Sequence, residues 1–317
     1  MGWRSTNKKN LVIAIKAMVA ICVLALLVRR ITWHDLLHAT RHAHLAWITL
    51  AFVLLIPNLY CQLWRWRLIV QRLHPQVKMG DLLHSLFAGI TLGFITPGRI
   101  GDLGRTIFIP GADWLALVGL MLVEKWYALL VVYFFGLIGL IPFLQTAFRP
   151  ELWVPVELTG LVLVTLGISL VLHPAFLSYL LKRFDRAPQR RRLHQLLVGI
   201  RRLTPSLSRA LLLLTLLQVS IYFLQFYFLI KAFTPLALLP GLSAVAAVMW
   251  SKTMLPISLG DLGIRESAAV YFLGKLQVPS AAAFDSALLL FGMNVLLPAL
   301  IGFVFLLQSR ILQTSNE

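Results

Sequence analysis

Apolar runs of about 20 residues, the length that crosses ~30 Å of hydrocarbon as a helix, recur along this chain and leave it few folds. Full-span candidates lie at 11–28, 45–63, 126–144, 157–173, 209–230 and 285–307. Two further apolar regions, 82–124 and 241–275, are interrupted by proline, glycine and charge, reading PGRIGDLGR at 97–105 and PISLGDLGIRE at 256–266. Glu124 and Lys125 fall inside the run 114–144, so 114–124 is assigned to the first interrupted region and the span begins after Lys125. The pattern predicts an all-α polytopic membrane protein, about six full spans plus two re-entrant helix pairs.

Composition agrees. The chain is 59% hydrophobic and 13% charged, where a soluble domain has roughly half and a quarter. Its longest polar stretch, 174–208, is too short for an independent core. A separate soluble catalytic domain is therefore not expected. The formal net charge of +17 fits cytoplasmic loops facing anionic headgroups. No zinc-finger spacing or aromatic-basic module points to nucleic acid. Cys22 and Cys61 sit in apolar runs and form no disulfide pattern. His34, His38 and His42 share a helical face, but no recognisable ligand set joins them beyond Asp35, so no metal and no cofactor is expected. Trp64, Trp66, Trp126 and Trp153 read as interface anchors.

Loop charges orient the chain. Arg4, Lys8 and Lys9 precede the first span, and Arg65, Arg67, Arg72 and Lys78 follow the second. A third basic group runs from Lys182 to Arg202. Placing all three inside gives a multi-pass protein of the cell (inner) membrane with cytoplasmic N- and C-termini. The run 11–28 ends in Val28-Arg29-Arg30 with no small-residue cleavage site, so it is read as a retained helix. Within the linker 174–208, the segment 190–203 places Leu193, Leu196, Leu197, Ile200 and Leu203 on one face. It is either an interfacial helix or a plain basic loop.

The two interruptions align. Pro97 matches Pro256, Gly101 matches Gly260, Asp102 matches Asp261 and Gly104 matches Gly263, with Arg105 and Arg265 close behind. The copies lie 159 positions apart (260 − 101). Within one membrane domain, repeat one covers 45–144 and repeat two 209–307. The charge-derived topology makes them inverted, a common transporter plan.

Irregular backbone cannot face lipid, so the interruptions must line a protein-walled or water-filled cavity. Pro97 and Pro256 end the incoming half-helices, and Asp102 and Asp261 are placed to N-cap the outgoing ones. Arg99, Arg105 and Arg265 bring charges that suit phosphate. Lys252, Glu124 and Glu266 are further candidates for the same cavity. Glu124 and Lys125 diverge by about 100° on a helix, so one is expected to face the cavity while the other snorkels. The alternative is that Asp102 pairs with Arg99 or Arg105, and Asp261 with Arg265, only to fix the turns. Glu266 has three readings: a cap, a partner of Arg265, or a proton carrier.

At TPGRIGDLGR (96–105), LVEKWYALL (122–130) and LPISLGDLGIRES (255–267) the chain resembles the flippase-like, or lysylphosphatidylglycerol synthase transmembrane region, family. The resemblance covers essentially the whole chain. It implies inverted repeats with re-entrant helices and movement of a phospholipid between leaflets. The chain ends at residue 317 without the soluble aminoacyl-transferring domain of the synthase branch, so it is not expected to make lysyl lipid itself.

The expected function is a lipid flippase whose partner is a membrane phospholipid or polyprenyl lipid. The alternatives are a polyprenyl-phosphate-dependent glycosyltransferase and a non-transporting lipid-binding assembly factor. No catalytic motif stands out, and no enzymatic activity is expected. A homo-oligomer or a partner lipid enzyme remains open.

Overall fold

The computed structural model describes residues 43–96, 98–172, 191–254 and 263–314, and every regular element among them is helical. Among the described residues, five helical stretches are long and apolar enough to cross a membrane: Leu45–Gln71, Trp114–Ala147, Pro150–Ser169, Pro205–Phe233 and Ser280–Leu307. The chain is a polytopic all-α membrane protein. The run 11–28, Cys22, the histidines 34, 38 and 42, Pro97, Pro256, Gly260 and Asp261 lie outside the described residues.

Helices α1 (Leu45–Val53) and α2 (Leu55–Gln71) form one rod with a joint at Leu54. Helix α3 (Met79–Ile95) leads to a 3₁₀ helix, Ile100–Phe108. Then come α4 (Trp114–Ala147), α5 (Pro150–Leu172), α6 (Arg191–Arg201) and α7 (Pro205–Phe233). Helices α8 (Leu238–Met254) and α9 (Ile264–Gly274) flank the second interruption. Helix α10 (Ser280–Phe291) passes through a π turn, Gly292–Leu296, into α11 (Leu297–Thr314).

The first interruption is a tight reversal. Gly98 and Arg99 both adopt left-handed backbone, φ 62° and 55°. The Thr96 hydroxyl accepts from the Gly101 N–H at 2.7 Å and donates to the Leu92 carbonyl at 2.9 Å. The 3₁₀ helix then returns along α3. A Cβ on Gly101 would lie 2.2 Å from the Leu92 carbonyl oxygen, and one on Gly93 would lie 2.2 Å from an Asp102 carboxylate oxygen. Side-chain-free positions on both legs make this approach possible.

Two expectations are corrected here. The span does not begin after Lys125: α4 is continuous from Trp114, because Asp113 caps its first turn by accepting from the Leu115 and Ala116 N–H groups. Asp102 does not cap an outgoing helix either. It lies within the 3₁₀ leg and directs its carboxylate at Lys125 instead.

The halves interlock through small residues, the usual route to close helix contact in lipid. Helix α3 packs on α11, where a Cβ on Gly302 would lie 2.2 Å from the Phe87 carbonyl oxygen and Thr91 donates to the Ala299 carbonyl. Helix α8 packs on α4, where a Cβ on Gly136 would lie 2.4 Å from the Trp250 side chain. The incoming helix of each interrupted region thus rests on a long helix of the other half.

Of the two readings for 190–203, the structure shows a helix over Arg191–Arg201, and it packs on α4. Leu197 is buried, and a Cβ on Gly199 would lie 1.9 Å from the Ala116 carbonyl oxygen. Gly199→Val is therefore expected to weaken this docking by about 1–3 kcal/mol through overpacking. Faster trypsin cleavage after Arg201 and Arg202 would report it, and cleavage at the wild-type rate would refute it.

Candidate functional site

Between the halves lies a cavity of about 290 Å³, bounded by α2, the 3₁₀ hairpin, α4, α7, the end of α8 and the π turn. Its described charged lining residues are Arg65, Arg99, Lys125 and Lys252 against Asp102 and Glu124, a balance of 4 − 2 = +2. Asn58, Gln62, Gln218 and Asn294 add amides to the wall. A pocket whose described lining carries more cations than carboxylates, with many donors, favours an anion.

Two charge sets organise the wall. Glu124, buried on α4, is shared by two buried arginines: Arg65 of α2 at 3.3 Å and Arg105 of the 3₁₀ leg. Arg65 also donates to the Thr215 hydroxyl at 2.9 Å. The Arg105 guanidinium lies 4.2 Å over the Trp66 ring, and the Trp66 indole N–H donates to Ser85 at 2.8 Å. In the second set, the Asp102 carboxylate accepts from Lys125 at 2.6 Å and lies 3.7 Å from Arg99. Arg105 stands behind Glu124 rather than on the cavity wall.

Three expectations change. Arg65 is not a loop residue, because α2 continues to Gln71 and carries it inside the protein. Trp66 is not an interface anchor, since it is fully buried beneath Arg105. Glu124 and Lys125 do not divide between cavity and surface; both line the cavity, Glu124 held between α2 and the 3₁₀ leg and Lys125 turned to the 3₁₀ leg.

Asn58 is the hub of the amide wall. Its side-chain N–H₂ donates to Gln225 at 3.1 Å and to Asn294 at 2.6 Å. Its oxygen accepts from Gln62 at 3.3 Å and Gln218 at 2.9 Å. The π turn, an element frequent at functional sites, carries Asn294 into this wall. Asn58→Leu strands these partners, and each unsatisfied buried polar group costs about 1–3 kcal/mol. A clearly lowered unfolding temperature in detergent is expected, and an unchanged one would remove Asn58 from this role.

Of the other expected site residues, Lys252 lies on the cavity wall. Arg265 and Glu266 are fully buried and paired with each other, and they are not among the residues lining the cavity. The Glu266 carboxylate also accepts from the Gly263 N–H at 2.6 Å, and the Arg265 guanidinium lies 5.5 Å from the Phe291 ring centre. Two of the readings for Glu266, cap and partner, thus hold together. Gly101 and Gly104 pack against Leu92, and Gly263 (φ 93°) opens α9.

Sequence reasoning missed Arg65 and the four wall amides as site residues. The signal was present: Asn58, Gln62 and Arg65 fall at i, i+4, i+7, and Thr215, Gln218, Tyr222 and Gln225 at i, i+3, i+7, i+10. Each is a polar stripe along one face of a helix within a membrane-spanning stretch.

No curated protein and no solved structure is significantly similar to the chain. A family model described as the lysylphosphatidylglycerol synthase TM region matches residues 13–302, nearly its whole length. That family places the protein among membrane proteins with a lipid-related role. The chain belongs to the lysylphosphatidylglycerol synthase transmembrane region family.

Proposed function

We propose that the protein moves a lipid with an anionic, phosphate-bearing headgroup between the two leaflets, holding the headgroup in the central cavity. One observation carries this reading: a cavity whose described lining residues include four cations and two carboxylates, walled by helices from both halves of the chain. The two described carboxylates at the wall, Asp102 and Glu124, are each held by cations. Such carboxylates suit the positioning of charge better than proton abstraction.

The halves act as inverted repeats. Helices α3 and α8 each have 17 residues and begin 159 positions apart (238 − 79). Asn58 and Gln218, which meet at the cavity, stand 160 apart (218 − 58), as do Arg105 and Arg265 (265 − 105). Each interrupted region enters the membrane and returns, and rocking of one half against the other opens the cavity to one leaflet and then the other. The protein sits in the cell membrane with its basic ends and both termini on the cytoplasmic side.

The test is transport in vesicles reconstituted with the purified protein. A fluorescent phosphatidylglycerol is expected to become accessible in the opposite leaflet far faster than in protein-free vesicles. No acceleration across a panel of anionic lipids would refute the reading. Product formation from a polyprenyl phosphate and a sugar donor would replace it with a transferase.

A further inference from the structure

A second hollow adjoins the first at Phe223. It has a volume of about 350 Å³ and is lined by Phe135, Ile138, Leu224, Leu239, Leu242 and Ala246, with Phe223 common to both cavities. The same three helices, α4, α7 and α8, wall both. Along α8 the lining runs from Thr253 and Lys252 at the charged end to Leu242 and Leu239 at the apolar end. From Leu239 to Thr253 this track is about 20 Å long at ~1.5 Å per residue.

The charged lining residues all lie on one side of Phe223, and the other side is lined by apolar residues with Ser220 and Ser243. The headgroup end is also at mid-depth: Gln218 lies thirteen residues after Pro205 and fifteen before Phe233 in the spanning helix α7. The apolar end points toward the membrane surface where α8 begins. The apolar part of the track, from Leu239 to Ala246, is about 10 Å long at ~1.5 Å per residue, so it covers about two thirds of a chain that fills a ~15 Å leaflet of hydrocarbon.

We infer that the apolar hollow holds a hydrocarbon chain of the same lipid whose phosphate occupies the charged cavity, and so captures that lipid halfway across. The physical reason is geometric. A lipid whose headgroup has been drawn from its own surface to mid-depth, with its chains still directed away from that surface, places them at the depth of the opposite leaflet. The hollow offers that place beside the headgroup site, with the Phe223 side chain lining both. The substrate is then a phosphate-bearing amphiphile recognised at both ends, and free phosphate or a soluble phosphate ester engages only the charged end. This inference rests on the proposed headgroup site.

The test separates the two ends. Ser220 lines the apolar hollow, is exposed, and is absent from the charged cavity's wall, so Ser220→Trp fills the hollow from its open side. Dibutyryl phosphatidate, which has almost no chain, is expected to bind the wild type and Ser220→Trp alike. A long-chain phosphatidate with a photoreactive group at its chain end is expected to label 135–139 and 239–246 in the wild type. Labelling should fall about tenfold in Ser220→Trp, roughly the burial of two methylenes, and remain at the wild-type level in Ser220→Ala. Excess unlabelled phosphatidate should compete, and a diacylglycerol with the same chains should not.

Equal competition by diacylglycerol would mean ordinary bilayer lipid fills the hollow and would overturn the inference. Labelling elsewhere, or labelling unaffected by Ser220→Trp, would overturn it too. Mapping the label in the wild type decides the point even if the tryptophan variant does not fold. If dibutyryl phosphatidate fails to bind the wild type, the headgroup reading falls and this inference with it. If it binds while the hollow stays unlabelled, only the chain inference falls.

Discussion

Glu124→Ala is expected to destabilise the protein by about 3–5 kcal/mol, the cost of removing one partner from a buried ion pair. The carboxylate is shared by Arg65 and Arg105, all three groups are buried, and they tie α2, α4 and the 3₁₀ leg together. Without it two guanidinium groups face each other in a water-poor interior. A large fall in unfolding temperature and in monodisperse yield from detergent is the expected readout. Glu124→Gln keeps the shape and loses the charge, so it should fall nearly as far. Replacing all three residues by apolar ones of similar volume should recover much of the loss, because most of the penalty is the stranded charge. A Glu124→Ala protein as stable as wild type would show that the network holds nothing together.

Lys125→Ala is expected to act on function instead. Its side chain is about half exposed, at 46%, toward the cavity that the wall encloses. Its pairing with Asp102 should therefore add no more than about 1 kcal/mol to stability. A charge-assisted hydrogen bond from its ammonium to a headgroup phosphate is worth about 1.5–3 kcal/mol, about ten- to a hundredfold in affinity. Lys125→Ala should lose that factor for anionic lipid while unfolding close to the wild-type temperature. Lys125→Arg should keep most of the affinity. Equal affinity in all three proteins would take Lys125 out of the headgroup site.

The contrast between these neighbours shows how much of the site was legible beforehand. Apolar length alone located the helices around Leu45–Gln71, Pro205–Phe233 and Ser280–Leu307. The helix breakers at 97–105 marked the chain reversal, and the Asp/Arg content there pointed to charge inside the protein. What stayed hidden were partners distant in sequence. Arg65 follows an apolar run, as loop arginines do, and its partner Glu124 lies 59 positions away (124 − 65). One of Glu124 and Lys125 was expected to snorkel because nothing local names Asp102 as the acceptor for Lys125. The start of α4 was misplaced for the same reason: a Glu-Lys pair suggests a helix end unless both charges find partners within the fold. The amide wall was written as two polar stripes, but a stripe does not reveal that Asn58 is the point where they meet.

The account rests on a charged cavity that water and a phosphate-bearing headgroup can reach. Ala128 lies on its wall and carries no charge. The most direct measurement labels Ala128→Cys, with Cys22 and Cys61 replaced by serine, using a water-soluble thiol reagent. The account predicts that the thiol reacts, that dibutyryl phosphatidate slows the reaction in proportion to its occupancy, and that uncharged dibutyryl glycerol does not. It also predicts that Lys125→Ala weakens this protection. A thiol that never reacts, or that both compounds protect equally, would contradict an anion-binding cavity at the centre of the protein.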